Sequence, residues 1–399
     1  MDALHKVTTL QLTGLSVWVI VGAGILALPT AISRHVVQSA WLVAVIFIAL
    51  VLPQAWLATT LVRRFPGRSF VGMARESLGP FLGAAVGLAF SLWWVLPLMA
   101  TGRILAEFVT FSLLDLTPKS VILGAMAVSV AVVLWRGPIA TARLAEILLP
   151  VIFAGLLAWF LIGLPDAEIR YLLPIGAEGL GTILRASLAP VAFGGSLMAT
   201  LALGGYLGRA ARVGRGLYWS VLIAGDIGLM AELLTTSVLG WLRPHLTFPH
   251  FHTARLIGLA EFLELVDSAF AAVILAGIFV TCAVLIFAVA EGVAETVGKR
   301  AVYPWALLGG AAVLTFGTPL ALPTFPILVA ALDSWYPPVA LAVQVGLPLM
   351  VLVVAAVRRV PGEGTRDRSP GRPQRGSRSD REGTRPARPF RRNGLNCLT

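Results

Sequence analysis

The side chains able to do chemistry in this chain are few, and most lie inside long apolar runs. Arg103 and Glu107 are four residues apart, so a helix sets them one turn apart on the same face. There they can pair, which lowers the cost of placing either near hydrocarbon and makes both candidates for ion or proton coupling. The same spacing also suits a structural pair at the membrane surface, with Arg103 reaching toward water. Asp226 stands in an apolar run between Gly225 and Gly228, with Glu232 six residues further on. A carboxylate at that depth must face the bundle interior or be protonated; it suits a cation, a proton relay or an amine, unless a neighbouring helix simply hydrogen-bonds it. Thr281 and Cys282 are small polar groups in a later run, with Glu291 and Glu295 beyond them. Thr281 is the better ligand candidate of the two, although a hydroxyl in a helix also bonds readily to its own backbone. His245, His250 and His252 cluster between two runs, but no acidic or thiol partner with metal-site spacing accompanies them, and the expectation is no metal.

Backbone groups complete the set. Val21-Gly22-Ala23-Gly24-Ile25-Leu26-Ala27-Leu28-Pro29 interrupts the apolar run 12–32. Inside a helix, glycine costs about 1 kcal/mol and proline about 3 kcal/mol relative to alanine, so a broken helix is expected near Gly22, Ala23 and Gly24. Opened turns in a bilayer survive only where protein or a watery cavity satisfies them, and such breaks mark substrate sites in transporters. Close helix packing by glycine is the alternative.

These groups must be positioned by membrane helices. With 57% hydrophobic and 13% charged residues, the chain lies far from ordinary soluble domains, which carry about 25% charged residues. Ten apolar runs are long enough, or nearly so, to cross a bilayer: about 12–32, 40–61, 81–102, 121–135, 145–164, 187–207, 217–241, 268–290, 303–322 and 336–357. The first, preceded by His5 and Lys6, could pass for a signal peptide, but nine more runs follow it. Placing the amino terminus in the cytoplasm puts fourteen basic residues on the inner side and six on the outer, so both termini are expected inside. Ten spans divide as five plus five, and an odd number per half inverts the second half. The sixth span carries Leu188-Ala189-Pro190-Val191-Ala192-Phe193-Gly194-Gly195-Ser196, a second interruption at the position corresponding to the first. The pair predicts a midplane site between two discontinuous helices.

The net charge of +11 is largely a property of the end of the chain, where ten arginines lie beyond residue 360. Residues 1–360 are expected to form the membrane domain and 361–399 a disordered basic cytoplasmic tail, dispensable for folding and open to anionic lipid. Only Phe390 there offers a ring for stacking, so no nucleic acid is expected. Two cysteines, Cys282 and Cys397, provide no disulfide framework. No phosphate loop, nucleophile elbow or Cys-x-x-Cys pair occurs, so neither an enzyme nor a cofactor is expected.

From Leu10 to Arg358 the chain also resembles the spore germination receptor B-subunit (GerAB-like) family of the amino acid, polyamine and organocation (APC) transporter superfamily. The resemblance rests on Gln11-Leu12 leading into Gly24-Ile25-Leu26-Ala27-Leu28-Pro29, Gln38-Ser39-Ala40-Trp41, Arg64-Phe65-Pro66-Gly67-Arg68, Glu76-Ser77-Leu78-Gly79 with Leu82-Gly83, Leu172-Leu173-Pro174-Ile175 with Glu178-Gly179, and Glu261-Phe262-Leu263-Glu264 with Asp267. Leu265 stands where that family often has an arginine. The resemblance implies an all-α polytopic protein with a LeuT-like 5+5 inverted repeat, and a nutrient-sensing subunit in the inner membrane of the spore that works with germination receptor A and C subunits. The ligand, expected to be an amino acid, would meet Gly22, Ala23, Gly24, Glu107, Phe193, Gly194, Gly195 and Thr281, with Arg103, Glu107 and Asp226 as coupling candidates. An amino-acid/cation permease is the alternative, and a scaffold for other membrane proteins is a third.

Overall fold

The computed structural model describes residues 6–208, 210–257 and 263–358. The basic tail 361–399, with Arg209, Arg359 and Glu261-Phe262, lies outside the described residues. Among those described the chain is helical, without a β-strand. In order it forms α1 (Thr9–Ser33), α2 (Ala40–Arg64), α3 (Phe70–Leu78), α4 (Pro80–Trp93), α5 (Val95–Ser112), α6 (Lys119–Trp135), α7 (Ile139–Gly163) and α8 (Leu180–Gly194). A 3-10 helix, Gly195–Tyr206, continues α8; then come α9 (Ala210–Leu239), a 3-10 turn Gly240–His245, α10 (Pro249–Leu256) and α11 (Leu263–Val297). The last part holds α12 (Tyr303–Ala312), α13 (Thr318–Ala321), α14 (Phe325–Asp333), α15 (Tyr336–Leu341) and α16 (Leu347–Val357). Nine helical stretches among the described residues are long and apolar enough to cross a membrane. The expected fourth span is α6, whose 17 residues reach about 25 Å, short of a hydrocarbon core of about 30 Å. The protein is a multi-pass membrane protein.

Proline accounts for the irregular helices. The third span is two helices meeting at Trp94, because Pro97 cannot donate back to Trp93 and its ring crowds that carbonyl. α12 and α13 are joined by a π turn, Val313–Gly317, and α15 and α16 by another, Ala342–Gly346. Each ends two residues before a proline, Pro319 or Pro348, and the wider turn makes room for the ring.

α1 is the central helix, packed on α7, α9 and α11 and buried over nearly its whole length. Its start is set by a capping box: Thr8 Oγ1 accepts from Gln11 N (3.1 Å) while Gln11 Oε1 accepts from Thr8 N (3.0 Å). Gln11 then reaches Glu146 of α7 at 2.9 Å. The expected break at Gly22–Gly24 is not there, for α1 is one continuous helix through Ser33. The reason is packing. A Cβ on Gly22 would collide with the Thr281 hydroxyl and lie 2.8 Å from the Gly277 carbonyl oxygen of α11. Glycine lets two backbones approach here, and an opened turn would leave polar groups without partners in an apolar interior.

Both ends of the bundle are tied. At the end carrying Val7, whose N–H bonds to the Tyr206 carbonyl (2.9 Å), Arg75 donates to the last carbonyls of α11, Glu295 (3.0 Å) and Thr296 (2.6 Å), and Ser69 bonds to the Glu295 carboxylate. At the far end, Glu178 takes the amides of Val37 (3.0 Å), Gln38 (2.9 Å) and Ser39 (3.4 Å), together with the Ser39 hydroxyl (2.7 Å). This clasps the start of α2 to the loop before α8. Burial alone would raise the Glu178 carboxyl, but the Ser39 hydroxyl and the amides outweigh it and hold the group below the usual carboxylate range. A depressed carboxyl contributes stability above its unfolded value of about 4.3, and that stability is lost as pH falls through the lower folded value. Glu178→Gln should therefore melt below the wild type at neutral pH, with the gap closing under acid. Melting temperatures measured from pH 7 down to 3 check this; a constant gap would contradict it.

Candidate functional site

The second expected interruption is present. α8 gives way at Gly194 to twelve residues of 3-10 helix, a length well beyond the usual three or four. Pro190 weakens the preceding turn by withholding its N–H from Ala186. The change of helix is then held by a side chain from another span. Gln344, in the π turn before α16, satisfies both of its neighbours when its amide is assigned with the nitrogen toward the Ala192 carbonyl (2.9 Å) and the oxygen toward Trp93 Nε1 (3.2 Å). Gln54 of α2 approaches the same place, and its Oε1 is buried without a hydrogen-bond partner among the described residues. A Cβ on Gly195 would run into the Gln344 amide and lie 2.8 Å from Gln54 Oε1, so glycine is required by the approach of both glutamines. On Gly194 a Cβ would meet Val51 (2.5 Å) and Phe47 (2.8 Å) of α2. An aromatic wall flanks the turn: Tyr336 stacks on Trp93 at 5.9 Å and meets Phe193 at 6.1 Å, and its buried hydroxyl has no partner among the described residues.

Among the residues singled out in the sequence, the structure brings Gly22 to Thr281 and Gly24 to Phe193. Gly22 faces Thr281, whose hydroxyl lies 2.7 Å from the Trp18 carbonyl of α1 and 3.0 Å from its own Gly277 carbonyl. Thr281 thereby bolts α11 to α1. Gly24 faces Phe193, with a Cβ position 3.4 Å from the ring, so α1 and the α8 turn share one wall. Ala23 is buried in the α1 core. Asp226 is half-buried on α9 and meets no hydrogen-bond or ion-pair partner among the described residues. Glu291 pairs with Arg300 at 2.6 Å, and Cys282 is a buried free thiol.

Arg103 and Glu107 do pair, and Lys119 joins them at 2.8 Å from Glu107. The carboxylate opens onto a surface hollow beside the α5–α6 loop, lined by Thr110, Phe111 and Asp115, away from the α8 turn. Arg103 is the buried member, with its side chain 5% exposed against 26% for Glu107, and its other contact is the Pro323 carbonyl at 2.8 Å. Losing Glu107 therefore strands a buried guanidinium, whereas losing Arg103 leaves Glu107 with Lys119. Glu107→Leu should cost more stability than Arg103→Leu, and the double variant less than the sum of the two. Thermal unfolding of the three variants decides it, and additive losses would mean the two act separately.

Sequence reasoning missed the two glutamines, which stand as isolated amides in spans two and ten and carry no motif. It also missed a buried polar cluster. Arg243 is fully buried and pairs with Glu232 of α9, donating as well to Ser33 at the end of α1 (2.7 Å) and to Thr236 (2.7 Å). His250 of α10 lies 2.7 Å from Thr235 Oγ1 through Nδ1, with Nε2 3.6 Å from Glu232 Oε1. Burial, then the nearby Arg243 charge, hold this imidazole well below its usual range, so the ring is neutral. His252 is lowered too, by burial and Arg255, and packs on Phe111, while His245 is exposed. The three histidines thus occupy three separate environments.

Comparison with known proteins gives the fold and the family. MhsT, solved in complex with L-phenylalanine, superposes with a TM-score of 0.66 over 88% of this chain and 98% of its own, at 15% identity. Mhp1, a nucleobase-cation-symport-1 family transporter, gives 0.59 over 83% and 77%, at 14% identity. A manganese transporter of Eremococcus coleocola gives 0.61 over 86% and 78%, also at 14%. The fold is therefore the LeuT-like, APC-type transporter fold. Two curated proteins of Bacillus subtilis (strain 168) match in sequence: spore germination protein YndE, 26% identical over 190 residues, and spore germination protein A2, 27% identical over 179. Each match takes in 45% of this chain, and the chain spans about half the length of these relatives, 50% and 49%. The family model described as spore germination protein (Spore_permease) matches residues 6–319, and with a transporter fold around a glutamine-braced turn the chain belongs to that spore germination protein family.

Proposed function

We propose that the protein is the membrane subunit of a nutrient receptor that binds a small zwitterion, an amino acid, at the α8 turn and passes the signal to A and C subunits in the inner membrane of the spore, with both chain termini cytoplasmic. The observation that carries this reading is the turn at Gly194–Gly195 with two buried groups that have no partner among the described residues, Gln54 Oε1 and the Tyr336 hydroxyl. Buried polar groups without partners are costly and are retained where a ligand or water completes them. Glutamine amides can donate to a carboxylate, while glutamine and tyrosine oxygens accept from an ammonium, and Phe193, Trp93 and Tyr336 offer apolar surface to a side chain. That MhsT, on the same fold, was solved with L-phenylalanine supports an amino-acid ligand. A ligand can signal only by the difference in its affinity for two states, and a long stretch of 3-10 helix supplies a segment able to repack between them.

A permease is the second reading, favoured by Asp226, a half-buried carboxylate within a span and without a partner among the described residues. Spores lacking this gene, challenged with single nutrients, test the receptor reading: loss of response to one amino acid, restored by the wild type but not by Gln54→Leu, is expected. Accumulation of labelled amino acid in vesicles, driven by an ion gradient and abolished by Asp226→Asn, would replace the receptor with the permease.

A further inference from the structure

A cavity of about 70 Å³ lies between α1, α2, α8 and α9, beside the α8 turn but outside it. By the roughly 10–15 Å³ that one water needs, it has room for about five water-sized groups. Its body is apolar, walled by Ile25, Leu28, Phe47 and Ile227, and floored where Gly24 and Gly228 omit side chains. Only one end is polar. There Glu232 and His250, each 4% exposed, present Glu232 Oε1 and His250 Nε2 across a 3.6 Å gap. The other carboxylate oxygen is engaged with Arg243, and the other imidazole nitrogen with the Thr235 hydroxyl.

The protonation pattern defines the missing partner. Arg243 balances the Glu232 charge, and the imidazole is neutral. Thr235 can donate to Nδ1, which leaves the single imidazole proton on Nε2, pointed at Glu232 Oε1. The opposite tautomer would set a nitrogen lone pair against a carboxylate. At 3.6 Å the Nε2–H lies beyond hydrogen-bond reach of Oε1. A group that donates to Oε1 and accepts from Nε2–H would satisfy both, and one hydroxyl does so without bringing charge into an apolar cavity. An ammonium donates but cannot accept, and a carboxylate would face Glu232.

We propose that this cavity is a second ligand site, distinct from the α8 turn, for a small uncharged alcohol of about five non-hydrogen atoms, its hydroxyl bridging Glu232 Oε1 and His250 Nε2 and its apolar body lying along α1 and α9. The site does not depend on the receptor or permease reading. Because it touches α1 and α10 at once, occupancy joins the outer loop to the central helix.

The test uses the full chain in nanodiscs with its histidines labelled with nitrogen-15, which gives few signals because the sequence has five. Titration with 1-butanol should shift the His250 ring nitrogens saturably. Affinity should rise about fourfold from 1-propanol to 1-butanol, one methylene, and fall again once the chain outgrows the cavity. Methyl propyl ether, the same size but unable to donate, should bind roughly tenfold more weakly. Gly228→Val fills the space with little strain, since a Cβ there meets only Ala44 at an ordinary 3.8 Å. In that variant the unliganded His35 and His252 signals should be unchanged and the butanol response lost. Three results would overturn the proposal: all histidine signals drifting together without saturation, as partition into lipid would give; ether binding as tightly as butanol; or Gly228→Val responding like the wild type. If the nutrient response survives Gly228→Val while butanol binding is lost, the two sites are separate.

Discussion

Arg243→Ala should destabilise the protein by about 3–5 kcal/mol, the largest loss expected from a single side chain outside the hydrophobic packing. The guanidinium is fully buried, and its removal leaves the Glu232 carboxylate, itself 5% exposed, with no cation. It also removes the donors that reach Ser33 at the end of α1 and Thr236 on α9, so the loop after α9 loses its anchor to the central helix. Thr30, which bonds to the Thr247 carbonyl, would be the remaining side-chain hydrogen bond between α1 and this loop among the described residues. A buried ion pair is nevertheless weak evidence of net stability, because desolvating two charges cancels most of their attraction. Replacing both, as Glu232→Leu with Arg243→Met, should therefore recover most of what Arg243→Ala loses. Unfolding of Glu232→Leu, Arg243→Met and the double variant in one detergent provides the cycle. A double variant as damaged as the sum of the singles would show that Glu232 and Arg243 do not act as a pair.

How much of this was legible in the sequence depended on the range of the interaction. Apolar runs marked the spans because burial in lipid depends on composition alone, and Pro190 with Gly194-Gly195 marked the sixth-span turn because both act on their own helix. Gly22 and Gly24 carried the same local cost but a different outcome, since α11 packs its Gly277 and Thr281 against that face and rewards a straight helix. Glycine content states that a helix can open, and only the neighbouring helix decides whether it does. Arg103 with Glu107 was readable as a one-turn pair, whereas Lys119 was not, because it arrives from the next helix. Glu232 and Arg243 are eleven residues apart across a helix end, a spacing with no helical meaning. Gln54 and Gln344 are a more instructive miss: each is a single amide in an apolar span, where leaving an amide unpaired is costly. Gln344, rather than any carboxylate, braces the turn.

That brace makes Gly195→Ala the substitution with the largest expected effect on the response to ligand. The new methyl group would occupy the place of the Gln344 amide, which must swing away and release both the Ala192 carbonyl and Trp93 Nε1. A carbonyl at the change from α to 3-10 helix has lost its usual N–H partner, so an apolar interior leaves it little alternative. The cheaper relaxation is for residues 191–196 to rewind toward α-helix, which a Cβ at 195 also favours, since alanine is better than glycine in a helix by about 1 kcal/mol. The turn would then be lost while the span still crosses the membrane. The expected result is a protein that accumulates at normal level, melts within a few degrees of the wild type and no longer responds to its nutrient. Gln344→Ala in the same chain removes the collision, so the double variant should keep the 3-10 segment and regain part of the response, whereas Gln344→Ala alone should weaken it through the freed Ala192 carbonyl. Circular dichroism would register the rewinding poorly, and hydrogen exchange of the amides from 195 to 200 is the better measurement. Faster exchange in the wild type than in Gly195→Ala, with the double variant returning to the wild-type rate, is the pattern a glutamine-braced turn requires. Equal exchange in all three, or a Gly195→Ala protein that still responds to its nutrient, would mean that the turn is not where the ligand acts.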